Sequence, residues 1–143
     1  MEGDRRFEFF PHTADAKFRA YGKSLGEAFA NAALALFEIM TDTSAVKPAM
    51  KKKLRAKAER PETLLYDFLE SLVILIDTDN FLLHDVERIE IKKKGGMLSL
   101  HAVAVGDDAA EYSVGTAIKA ITYNDMLVEE KDGKVMVQVV PDL

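Results

Sequence analysis

Val86-Glu87-Arg88-Ile89-Glu90-Ile91-Lys92-Lys93-Lys94-Gly95-Gly96-Met97-Leu98-Ser99-Leu100-His101-Ala102-Val103-Ala104-Val105 is the stretch whose reading decides the fold class. Two alternating runs, residues 86–93 and 97–105, read as strands. Gly95-Gly96 separates them, and its tolerance of positive φ suits a two-residue hairpin turn. Asp132-Gly133 repeats the arrangement between residues 127–131 and 134–140. Further alternation at 7–10, 16–21, 50–58 and 117–123 makes strands more numerous than helices, and the hairpins make them largely antiparallel.

Two helices interrupt these strands. The first opens with Ser24-Leu25-Gly26-Glu27, a capping box in which each side chain satisfies an orphan amide. Its apolar stripe is Leu25, Ala28, Phe29, Ala32, Leu36, Ile39 and Met40. The second starts just after Pro61, a residue suited to a first helical turn, and repeats Leu65, Phe68, Leu69, Leu72, Leu75 and Ile76 on one side. Both stripes read as core. Because the helices fall between groups of strands instead of after every strand, the expected architecture is α+β: one domain over residues 1–143, mostly antiparallel sheet, with two main helices packed on one face.

Composition narrows the function classes. A chain of 143 residues with 48% apolar content is sized for one real hydrophobic core. It has no cysteine, which rules out disulfides and thiolate chemistry and fits a reducing cytoplasm. Met1-Glu2-Gly3-Asp4-Arg5-Arg6 opens charged, with no apolar signal core behind it, so a non-exported protein without a membrane span is expected. The net charge of −5 disfavours a protein that grips nucleic acid by itself. Lys51-Lys52-Lys53 and Lys92-Lys93-Lys94 fall at strand ends, where lysines block edge-to-edge aggregation.

Standard catalytic signatures are missing: no Gly-rich phosphate loop, no His-Glu-x-x-His and no Gly-x-Ser-x-Gly. Asp77-Thr78-Asp79-Asn80 matches only the opening of a calcium loop, since Leu82 stands at the sixth position and Arg88 at the twelfth. It reads instead as the exit turn of the second helix. His12, His84 and His101 are too scattered for a zinc site. His101 falls inside a strand, and His84 is expected in a loop beside Asp85.

The remaining candidates sit at the two ends. His12-Thr13-Ala14-Asp15 lies between two predicted strands, and Pro141-Asp142-Leu143 are the last three residues. Calcium, magnesium and manganese want several oxygen ligands, and carboxylates supply both oxygen and charge. If the last strand pairs near the first, Asp15, Asp142 and the carboxylate of Leu143 surround one point, where they repel unless a cation neutralises them. In the other reading Asp15 ends a turn and Asp142 belongs to a solvated tail. On the residues alone both readings stand.

The chain resembles the archease family over essentially its whole length. The resemblance rests on several segments in order: His12-Thr13-Ala14-Asp15 followed by a strand and Gly22; Ser24-Leu25 through Ala28-Phe29, Asn31-Ala32-Ala33, Leu36-Phe37 and Met40-Thr41; Leu65-Tyr66-Asp67-Phe68-Leu69-Glu70; and Ile118-Lys119-Ala120-Ile121-Thr122-Tyr123. The resemblance implies an accessory protein of the GTP-dependent RtcB-type RNA ligase that joins tRNA halves. Such a protein promotes guanylylation of the ligase and repeated turnover without itself making or breaking RNA bonds. It implies a site for a divalent metal ion, calcium or magnesium/manganese, formed by Asp15 and Asp142 and completed by the carbonyl or carboxylate of Leu143. It also implies a cytoplasmic location, tRNA met only through the ligase, and neither DNA nor membrane as partner. A different class also fits: a chaperone-like binding module for an RNA-modifying enzyme such as a tRNA methyltransferase. Asn124 follows Tyr123 where the family commonly has a histidine, so no titrating role carries over to that position. The segment at 106–111 is acidic where family members often carry basic residues.

Overall fold

The computed structural model describes residues 5–11 and 16–143. The described elements are β1 (Phe7–Phe10), β2 (Lys17–Gly22), α1 (Leu25–Glu38), β3 (Met50–Ala58), α2 (Pro61–Asp79), β4 (Phe81–Lys94), β5 (Met97–Asp108), β6 (Ala120–Ile121), β7 (Leu127–Lys131), β8 (Lys134–Val139) and β9 (Pro141–Asp142). Short 3₁₀ turns, Thr43–Ala45 and Ala109–Glu111, link α1 to β3 and follow β5. The α+β architecture with two helices and antiparallel pairing is the one expected. The strands divide into ladders ordered β1-β2-β8-β7, β3-β5-β4 and β6-β9.

Local chemistry explains the boundaries that were legible. The Ser24 hydroxyl accepts from the Glu27 amide at 3.1 Å. Glu27 in turn accepts from the Lys23 amide at 3.1 Å, one residue further back than a strict capping box. Pro61 occupies the first turn of α2. At its other end Asn80 adopts the left-handed conformation, φ 52°, so the Asp77-Thr78-Asp79-Asn80 segment is the helix exit. Gly95 and Gly96 at φ 61° and 79° close the β4–β5 hairpin, and Asp132 and Gly133 at 54° and 74° close β7–β8.

Three boundaries differ from expectation. β4 begins at Phe81, five residues before the expected start, because bulges between Leu83 and Asp85 and between Val86 and Arg88 interrupt the two-residue period. His84 therefore lies in a strand rather than a loop, its Nδ1 3.3 Å from the Thr43 carbonyl oxygen. β5 continues to Asp108 through Gly106, where a side chain would meet the Leu82 carbonyl oxygen. The expected strand at 117–123 shrinks to Ala120–Ile121, because its partner β9 offers only two residues.

One core joins these layers. α1 contacts β2 and β8 on one side and β4 on another, while α2 packs on β3, β5 and β4. That sandwiched position buries α1 continuously from Ala28 to Phe37. Phe18, Phe29, Phe37, Phe68 and Phe81 are all fully buried. Asn31, the buried polar residue of α1, donates to the Tyr21 carbonyl at 2.6 Å and accepts from Arg6 Nε at 2.9 Å. Met40 and Met126 are buried and fill the core.

Candidate functional site at the C-terminal ladder

Asp142 sits at the end of a short, well-anchored ladder. Ala120 pairs with Asp142 and Ile121 with Pro141. The Lys119 amide donates to the Asp142 carbonyl at 2.8 Å, and the Thr122 hydroxyl donates to the Val140 carbonyl at 2.8 Å. The same hydroxyl accepts from the Asn124 amide at 3.2 Å. The Asp142 backbone is thus held in place rather than frayed. Its side chain is exposed, and Leu143 is half-buried against the core.

The supporting layer is polar and ordered. Gln138, 4% exposed, donates to the Asp125 carbonyl at 2.8 Å and accepts from Arg19 Nε at 2.9 Å. Glu70 of α2 lies 3.4 Å from the Ile121 amide that donates to it. Tyr66 stacks on Tyr123 with centroids 4.3 Å apart and planes 8° from parallel. Desolvation, reinforced by Glu70, raises the Tyr66 phenol above its usual pKa. The anchoring roles of Thr122, Gln138 and Glu70 were not legible in spacing, because they depend on which strand the C-terminus meets.

Among the expected metal ligands, Asp15 lies outside the described residues. The register nearby is informative all the same. β2 and β8 run antiparallel with Phe18 opposite Val139. The N-terminal end of β2 and the C-terminal end of β8 therefore leave the ladder on the same side. Among the described residues, no group of three or more His, Asp or Glu side chains is gathered to hold a metal. The donors that are described, the Asp142 carboxylate and a Leu143 oxygen, are hard ligands that fit a calcium-, magnesium- or manganese-type ion. Asp142 makes no ion pair among the described residues. A larger cleft of 740 Å³, bordered by Arg5, Arg6, Lys23, Glu27 and Lys134, includes no residue of this ladder.

The architecture is thus a small α+β protein with antiparallel ladders, whose last strand carries an exposed carboxylate on a fixed backbone. Residues 7–143 match the model of the Archease protein family, and the chain belongs to that family. It is 41% identical over 138 residues to Protein archease of Methanothermobacter thermautotrophicus, covering 96% of this chain and 98% of that one. It is 42% identical over 142 residues to Protein archease of Thermococcus gammatolerans, covering 97% and 99%. The solution structure of Methanobacterium thermoautotrophicum Protein 1598 superposes with TM-score 0.84 at 38% identity over 100% of both chains. A Thermotoga maritima crystal structure described as an archease and possible chaperone shares the fold, with TM-score 0.61, 22% identity and 94% coverage of each chain. No helix among the described residues is long and apolar enough to cross a membrane.

Proposed function

We propose that this archease-family protein is a non-catalytic activator of a GTP-dependent RtcB-type tRNA-splicing RNA ligase, promoting the ligase's guanylylation and repeated turnover through a divalent-metal site at Asp15, Asp142 and Leu143. The observation that carries the metal-site reading is the β2–β8 register. With Phe18 opposite Val139, the segments leading to Asp15 and to Asp142 leave the same end of one ladder. The exposed Asp142 carboxylate on an anchored backbone supports it further, since a ligand held by its main chain loses little freedom on binding.

A divalent cation supplied at this corner would neutralise charge developing on GTP phosphoryl oxygens in the ligase cleft. This chain's own residues would hold the ion and present it. Thr122 and Lys119 fix the last strand, and Asp142 supplies the charged oxygens. The test is the rate of ligase guanylylation with GTP and limiting metal, with and without this protein, using the ligase from the same source. Acceleration is expected. No acceleration, with binding of the two proteins demonstrated, overturns the activator reading.

The description of the Thermotoga protein as a possible chaperone supports a second reading, a chaperone-like module; the client we propose for it is an RNA-modifying enzyme such as a tRNA methyltransferase. The two readings part on Asp142: a module that acts by surface contact tolerates Asp142→Asn, and a metal-dependent activator does not.

A further inference from the structure

We infer that the outer face of the β3-β5-β4 sheet is a docking surface for the phosphate backbone of structured RNA. The helices cover only the other face, where Leu54, Ala58, Leu100, Ala102 and Ala104 are buried. On the outer face the register sets Lys53 beside Val103 and Arg88, Arg55 beside His101 and Glu90, and Lys57 beside Ser99 and Lys92. These rows border a shallow groove of about 380 Å³. Five cations thus stand against one carboxylate, a net +4 on a chain whose overall charge is −5, leaving −9 on the rest. The carboxylate, Glu90, faces Arg88 at 3.2 Å. Lys53, Arg55, Lys57 and Lys92 make no ion pair among the described residues.

Edge protection accounts for charge on β3 and β4, which are edge strands, but not for both edges carrying an excess of the same sign on one face of the sheet. The chemistry also selects the partner. The rows contain no Phe, Tyr or Trp and are rich in lysine, whereas the cores of protein interfaces favour those anchors and are depleted in lysine. Spaced lysines suit phosphates, which position a nucleic acid without reading its bases. The chain's negative average, which argues against nucleic-acid binding, conceals this polarity. Choosing RNA as the polyanion rests on the RNA-ligation reading above.

The test is fluorescence anisotropy of a labelled RNA hairpin, titrated with this protein in chelator over a salt series. It contains neither ligase nor divalent metal, so its result is independent of the activator reading. Binding that weakens steeply with salt is expected. The exposed triple variant Lys53→Gln, Arg55→Gln, Lys92→Gln should weaken it about tenfold or more at low salt and flatten the log–log slope by about two. The variant Lys23→Gln, Lys131→Gln, Lys134→Gln changes the same charge elsewhere and should keep the wild-type slope. Circular dichroism confirms that both are folded. No salt-dependent binding, or equal losses in the two triple variants, overturns the inference.

Discussion

The three-stranded sheet and the C-terminal ladder are stabilised in different proportions by burial and by hydrogen bonds. β5 pairs along its length with both β3 and β4 and buries its inner face under α2. β6 and β9 share only two residue pairs and rely on Thr122, Lys119 and Glu70 to hold the chain. The sheet is stabilised by apolar burial. The ladder adds only Ile121 and Pro141 to the buried residues and leans more on individual hydrogen bonds, each worth little alone. The difference teaches that the exposed acidic corner is separable from global stability, so its chemistry can be altered while the fold persists.

Substitutions can break or sharpen this contrast. Phe68→Ala, beneath the sheet and stacked on Phe29 with centroids 6.2 Å apart, should cost about 3–5 kcal/mol in denaturant unfolding. Thr122→Ala should cost about 1 kcal/mol. Its distinguishing sign is faster hydrogen exchange at the Asp142 amide, with exchange in β5 unchanged. Tyr21 provides a calibration outside both regions. Desolvation, then its hydrogen bond to Glu8, pushes its phenol up to about 12. The folded pKa exceeds the ordinary value of 10.0, so the stabilisation is fully present below pH 10 and is lost as pH rises toward 12. Tyrosinate absorbance should show a last ionisation step in that window, and Tyr21→Phe should remove it. Asp142→Asn should change stability least, by no more than about 0.5 kcal/mol. Calorimetric titration with manganese or calcium should nevertheless show an affinity loss of about tenfold or more.

The same contrast decided what could be read from sequence. α1 and α2 were legible because Ser24 and Pro61 mark their starts and because their apolar stripes keep a helical period. The two tight hairpins were legible because Gly95-Gly96 and Asp132-Gly133 serve positions of positive φ. The start of β4 was hidden because its bulges shift side chains between faces, and alternation is the only sequence sign of a strand at that point. The length of β6 was hidden because it is set by a partner 20 residues away, Ile121 opposite Pro141. At the site, Asp142 was identifiable by residue type, and its backbone pairing answers the frayed-tail alternative. Asp15 lies outside the described residues. The polarity of the β3-β5-β4 face was invisible in the net charge, because only strand register brings Lys53, Arg55 and Lys92 onto one surface.

The most direct test of the central claim is the initial rate of ligase guanylylation under limiting divalent metal, comparing wild-type protein with Asp142→Asn after both are shown to be folded and bound to the ligase. The account predicts acceleration by the wild type and its loss in the variant, with partial recovery as metal is raised. Equal acceleration by both proteins at limiting metal would contradict it and leave Asp142 without a part in activation.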